Sequence, residues 1–338
     1  MTPVRRSAAL ASLALLATAC SVLDTTDDAP PTTISDAAAP TSTTTPVLPA
    51  AAAPTATTMP TTTVPLGPPR ALVTPTGVVV PVRGGGPGAW IVGTPCHGEA
   101  TVADGGPIHG VTVLIDPGHG GDDEPGAVGA GGLQEADLNL DVAWRLSAAL
   151  AERGIDSLLS RPADYRIAVI ARAELATVIQ PEVFVSVHHN GGETVPREAP
   201  GVEVFHQSTS DGSRRLGGLV FEELMAAFEP LEADWVGGPL HGVSYRLNRD
   251  DEDLYGVLRR PVGVDTVLTE AMYLTNPSEE DLLDDPAVLD LEAEALATAI
   301  ERFLTTDDPG TGFIDPTTFR GDLGSGGGTV GCEDPPLE

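Results

Sequence analysis

Residues 111–140 constrain the fold more than any other stretch of this chain. Val111, Val113, Leu114 and Ile115 form a short, mostly apolar run of the kind a strand covered on both faces needs. Asp116-Pro117-Gly118 ends that run, because Pro117 lacks a backbone donor and Gly118 tolerates positive φ. His119 is therefore expected just beyond the carboxyl end of a strand, where open α/β sheets place their ligand sites. Glu135 opens the helix that follows, at the same edge. A histidine and a carboxylate brought to one edge by separate elements are candidate metal ligands.

Strands and helices alternate from there to about residue 306. Leu138, Val142, Leu146 and Leu150 recur at helical spacing within 135–153, and Gly154 suits the position just past a helix end. Strands are expected at 155–159, 183–188, 201–206 and 264–269, with helices at 168–179 and 213–228 and one or two over 277–305, broken near Pro286. The pattern predicts an α/β domain over 111–306: a single, mostly parallel (mixed) sheet flanked by helices on both faces. Residues 70–110 read as a small β element packed on it. The acidic stretch 229–253 reads as a solvated insertion, a lid over the site being the alternative, and the Gly/Asp-rich residues 307–338 read as a loose tail.

If the main strands are parallel, His119, His188 and Glu270 lie at strand ends along one edge, with Glu135 beside them. Zinc suits two imidazoles and one carboxylate with a further position left open. Glu270 then stands apart from binding, as a general base toward an activated water. The acidic loop 122–126 offers Glu124 as another carboxylate; Glu135 is preferred. Neither His-Glu-x-x-His nor Cys-x-x-Cys is present.

Four ordered segments sharpen this reading: 113–121 (VLIDPGHGG), 132–140 (GLQEADLNL), 186–190 (SVHHN) and 269–276 (TEAMYLTN). Together they resemble the zinc-dependent N-acetylmuramoyl-L-alanine amidases, over roughly 111–304. The resemblance implies that one Zn2+ is held by His119, Glu135 and His188, that Glu270 is catalytic, and that the substrate is peptidoglycan. The segment Leu258-Arg259 resembles the family's Leu-Arg, which makes Arg259 a candidate substrate contact, together with Asn190. His189 departs from the small residue usual there; on a strand it faces away from His188 and is read as packing or supporting. His206 and His241 match no family position and are read as structural. Two other readings stay open: a zinc peptidase cutting elsewhere in the stem peptide, and a non-catalytic wall-binding or regulatory lipoprotein.

The N-terminus reads as a targeting segment. Arg5-Arg6, the short apolar run 8–19 and Ala17-Thr18-Ala19 before Cys20 resemble a lipoprotein signal over 1–20, with Cys20 lipidated; an ordinary secretory signal is the alternative. Residues 21–69 are Thr/Pro/Ala-rich and are expected to form a disordered spacer between a membrane anchor and the wall. Cys96 and Cys332 bracket the folded region and are candidates for a disulfide after export. The formal charge of −31, with arginine the only basic residue type, excludes nucleic acid as a partner and argues against direct attraction to anionic lipid. Any activator protein is unspecified.

Overall fold

The computed structural model describes residues 67–192, 194–238, 240–319 and 327–338. The signal segment, Cys20 and nearly all of the spacer lie outside them. Among the described residues no helix is long and apolar enough to cross a membrane.

In chain order the elements are β1 (Ala71–Val73), β2 (Val79–Gly86), β3 (Ala89–Gly93), β4 (Glu99–Val102), β5 (Gly106–Ile108), β6 (Val113–Pro117), α1 (Glu135–Glu152), β7 (Ser157–Leu159), α2 (Val169–Ile179), β8 (Val183–Asn190), β9 (Val195–Pro196), β10 (Glu203–His206), α3 (Asp211–Phe228), β11 (Val236–Gly237), β12 (Gly242–Ser244), β13 (Arg246–Leu247), α4 (Gly256–Arg259), β14 (Asp265–Tyr273), α5 (Pro277–Leu283), α6 (Pro286–Thr305) and β15 (Thr317–Thr318).

Six of the strands form the central sheet in the order β12-β10-β14-β8-β6-β7. β7, β6, β8 and β14 are mutually parallel, whereas β10 runs against β14 and carries β12 with it. Alternation along each strand separates two cores. Val113, Ile115, Val183, Val185, Val204 and Val267 face α1, α3 and α6. Leu114, Phe184, Phe205 and Leu268 face α2 and α4. Burial on both sides explains why the inner strands read as continuous apolar runs.

Helix ends follow local chemistry. Ile155 N–H reaches back to the Leu150 carbonyl at 3.0 Å while Gly154 sits at φ +71, which closes α1. Asn276 and Asp285 accept from the amides of Ser278 and Ala287, and Pro277 and Pro286 occupy first-turn positions where a missing N–H costs nothing. Pro286 thus starts α6 rather than kinking one long helix. α2 ends without glycine: Gln180 takes the left-handed conformation at φ +52.

Residues 70–110 form a five-stranded antiparallel sheet, β4-β3-β2-β1-β5. Ala71 and Val79 pack into the α2 core, while Leu72 and Val80 build a separate small core on the other face. The sheet is bound to α2 by a two-pronged ion pair, Arg83 Nε and Nη2 to the Glu174 carboxylate, both at 2.7 Å. Cys96 and Cys332 are disulfide-bonded.

Three expectations need correction. The described parts of 307–338 are not a loose tail. Phe313 lies 3.6 Å beneath the Arg214 guanidinium, β15 pairs with β13, and the amides of Cys96 and Ala103 donate to the Asp334 (2.7 Å) and Glu338 (2.5 Å) carboxylates. The stretch 229–253, read as a solvated insertion or a lid, keeps its acidic residues largely exposed but is built into the fold, because its β12 extends the central sheet and its β11 pairs with β9. Trp235, Leu240 and Val243 within it are buried. Finally, β14 does not stop at Glu270 but continues to Tyr273, with a register irregularity between those two residues.

Candidate metal centre

The strand end at Asp116–His119 is held from below by two buried arginines. Arg172 Nη1 donates to Asp116 (2.7 Å) and to the Pro117 carbonyl (2.7 Å), and its Nη2 donates to the His119 carbonyl at 2.6 Å. Arg161 donates to the carbonyls of Pro117 (3.0 Å), Gly118 (2.9 Å) and Ala136 (2.7 Å). Burial, with the neighbouring Arg172 charge, lowers the Arg161 guanidinium to about 10. The Asp116 carboxylate also accepts from the hydroxyls of Ser160 and Ser186, so this charge is fully hydrogen-bonded despite complete burial. The grip fixes His119 at φ +58, a strained setting for a non-glycine residue.

Two glycines let the ring nitrogens and carboxylate approach. A Cβ on Gly118 would stand 2.1 Å from Cε1 of His188. One on Gly126 (φ +73) would stand 2.4 Å from Glu135 Oε2 and 2.7 Å from the His119 ring. Neither position has room for a side chain.

His119 Nε2 lies 3.2 Å from Glu135 Oε1, and His188 Nδ1 lies 2.9 Å from the same oxygen. One donor atom from each of the three residues falls within 4.8 Å of the other two, the one such cluster of His, Cys, Asp and Glu among the described residues. Burial opposes ionisation of Glu135, but the hydrogen bonds from His119 and His188 outweigh it and hold the carboxyl well below its usual range. Burial also depresses His188. A neutral imidazole and an ionised carboxylate are the forms that bind metal. Two nitrogens and one oxygen of a buried carboxylate fit zinc in donor chemistry and in number, with coordination left open for a reactant.

Glu270 pairs in register with His188 across parallel β14 and β8, and it lines the same cavity of about 300 Å³ as His119 and His188. Its Oε2 is buried without a hydrogen-bond partner among the described residues. Burial, reinforced by the charges of Glu135 and Glu203, pushes this carboxyl well above its usual range. An added cation next to it would favour the ionised form.

The other candidates fall elsewhere. Glu124 lines the cavity wall, where it accepts from Gly327 N–H and pairs with Arg166 at 3.2 Å. The Arg259 guanidinium donates to the carbonyls of Asp253 and Leu254 and faces an adjoining cavity of about 720 Å³. Asn190 spends its side chain on Gly191 N–H (2.9 Å) and on Glu203. His206 ends β10, which runs opposite to β14, so it sits at the far edge of the sheet beside Val267, its Nδ1 donating to the Gln207 carbonyl. His241 donates to the Val202 carbonyl at 3.1 Å. His189 is buried between Glu292 Oε2 (3.0 Å) and Asn139 Oδ1 (2.9 Å), and the Asn139 amide continues to Glu135 at 3.4 Å.

Asp116, Arg161, Arg172, Asn139 and Glu292 were not singled out from the sequence. Arg172 could have been, because it falls on the stripe Ala168, Leu175, Ala176 and Ile179 that otherwise buries apolar side chains. Glu292 likewise interrupts the apolar face of α6.

The N-acetylmuramoyl-L-alanine amidase family profile (Amidase_3) matches residues 113–302, which contain every residue of this centre. The chain is similar to the uncharacterised protein YqiI of Bacillus subtilis, 32% identical over 199 residues covering 58% of this chain and 86% of YqiI. It is also similar to the amidase AmiA of Salmonella typhimurium, 30% identical, covering 56% of this chain and 74% of AmiA. To the amidase AmiC of Neisseria meningitidis it is 27% identical, covering 57% of this chain and 53% of AmiC. Among solved structures, Cwp6 of Clostridium difficile superposes with a TM-score of 0.51 at 24% identity, covering 58% of this chain and 30% of Cwp6, which shows a shared fold. A profile match across more than half of its length, together with 30% identity to AmiA over 74% of that protein, places this chain in the N-acetylmuramoyl-L-alanine amidase family of enzymes.

Proposed function

We propose that the chain hydrolyses the amide between the lactyl group of N-acetylmuramic acid and L-alanine in peptidoglycan, in a zinc-dependent reaction at the cell envelope. The convergence of His119, Glu135 and His188 donor atoms within 4.8 Å, beside Glu270, is the observation that carries this reading. His119, Glu135 and His188 hold the zinc; when bound, zinc supplies Lewis acidity that activates water near neutral pH and polarises an amide carbonyl.

The protein side of the chemistry belongs to Glu270. Its unpartnered Oε2 takes the proton from water as the oxygen adds to the carbonyl carbon. The same carboxyl then passes that proton to the departing nitrogen, so the C–N bond breaks to give a carboxylic acid and a neutral amine. Apolar walls from Ile167, Val169, Val257 and Leu268 limit competing water. Export and a lipid anchor at Cys20, with 21–69 as the reach into the wall, complete the proposal.

The test is digestion of purified peptidoglycan, with zinc content measured on the same sample. The products are expected to be glycan free of peptide and intact stem peptides beginning with L-alanine. Fragments cut within the stem peptide would assign a peptidase instead, and no cleavage by zinc-loaded protein would leave the non-catalytic reading.

A further inference from the structure

We infer that the 720 Å³ cavity next to the metal centre is a carboxylate-binding subsite for the peptide half of the substrate, with Arg260 as its specificity-determining residue. This rests on the amidase reading above and names the substrate chemistry that the site selects.

The cavity adjoins the smaller catalytic one directly, since Val169, Tyr255 and Gly327 line both. A chain bound across Glu270 therefore reaches it by passing the wall that the two cavities share, where Val169 N–H bonds to the Gly327 carbonyl. In a protein with 49 acidic and 18 basic residues, no carboxylate among the described residues lines this cavity, while His97, Arg259 and Arg260 do. Two of those three are already engaged. His97 Nδ1 lies 3.2 Å from Glu174, and Arg259 is tied to the carbonyls of Asp253 and Leu254 and lies 3.5 Å from Glu252. The Arg260 guanidinium makes no hydrogen bond or ion pair among the described residues. It folds over Gly256, with Nε 3.6 Å from where a Cβ would stand there.

A free guanidinium in an acid-free recess is suited to a planar carboxylate, which it can take in a two-pronged contact. Part of the wall is Gly327–Thr329, bound through Val169 N–H to the Gly327 carbonyl (2.8 Å) and Arg166 Nη2 to the Gly328 carbonyl (2.8 Å). That wall presents backbone and small side chains, which suits an extended peptide lying along it. The acidic residue that follows L-alanine in a stem peptide carries a free carboxylate within about two residues, roughly 7 Å of chain, of the scissile amide.

The experiment uses the full zinc-loaded chain and two muramyl peptides that differ only in whether this carboxylate is free or amidated. With the wild type, KM is expected to be about ten-fold lower for the free acid, with similar kcat. Arg260→Gln should raise KM for the acid about ten-fold, leave the amide unchanged and keep kcat within about two-fold, while Arg260→Lys recovers part of the difference. Thermal midpoint and zinc content serve as controls, because an exposed side chain is being changed. Equal KM values for both peptides in the wild type, or an Arg260→Gln effect of the same size on both, overturn the subsite. A wild type that cleaves neither peptide overturns the amidase reading and the subsite with it.

Discussion

His188 and Glu270 are register partners on adjacent parallel strands, so an imidazole and a carboxylate leave the sheet side by side at one edge. Their surroundings differ: His188 meets Glu135, whereas Glu270 Oε2 meets no partner. Changing them should have distinct outcomes. Glu270→Gln is expected to lower turnover by about 10²–10⁴-fold with zinc content unchanged. His188→Ala or His119→Ala should lose the metal itself. Metal analysis alongside dye release from labelled cell wall separates the two cases, and full activity in Glu270→Gln would remove the proposed mechanism.

Gly118→Ala tests the cradle rather than a ligand. The added methyl would meet three ring atoms of His188 at 2.1–2.5 Å, so the ring must swing away. We expect zinc affinity to fall by about 10–100-fold, by analogy with disturbed ligand support, while far-ultraviolet circular dichroism stays as in the parent. A variant that binds zinc as the parent does would show that the ring has another way to reach the site.

His189 and Glu292 form a pair in which both side chains are fully buried, at 3.0 Å. Although burial opposes the charged imidazole, the Glu292 carboxylate prevails and raises its pKa. Glu292→Ala alone leaves that ring without its counter-charge and should cost about 3–5 kcal/mol. The double change His189→Ala with Glu292→Ala should cost less than the sum of the singles. A double-mutant cycle by urea unfolding measures the coupling, and strict additivity would refute it.

The disulfide joins residues 236 positions apart, closing nearly the whole described chain. Cys96→Ser with Cys332→Ser is expected to lower stability by up to about 5 kcal/mol in the chain-entropy model. Thermal unfolding of the parent with and without reductant should reproduce the gap, whereas the double variant should not respond to reductant.

Acid should loosen the N-terminal sheet. The hydrogen bond from Arg83 outweighs burial and holds Glu174 below its ordinary value near 4.5. A depressed carboxyl adds stability that is present above the unfolded value and lost as pH falls through the folded one. Unfolding midpoints should therefore drop below about pH 4.5 in the parent, and Glu174→Gln should flatten that part of the profile.

Much of the centre was legible because its chemistry sits where period-two strands stop. Val113–Ile115 and Val183–Val187 announce buried strands, and a polar residue at each end has nowhere to go but the edge. Chain direction was harder. Nothing in Glu203–His206 distinguishes an antiparallel strand, so the sequence did not show that His206, read as structural, ends at the rim away from His188, opposite Val267. The supporting arginines were harder to see: Arg161 binds main-chain carbonyls, which leave no trace in the sequence, and Arg172 shows only as a charge on the apolar stripe of α2. The tail misled through composition. Its glycines and aspartates promise looseness, yet backbone groups and one cysteine fasten it at several points.

The reversal of β10 and β12 also divides the molecule between two rims. The candidate metal ligands and Glu270 gather where β6, β8 and β14 end, and the turn after His206 opens at the opposite rim. That second rim is itself tied down, with Gln207 bonded to Leu258 and Thr266 and Ser208 N–H to Asp253, so a fluorophore placed there would read the fold without entering the edge that holds Glu270.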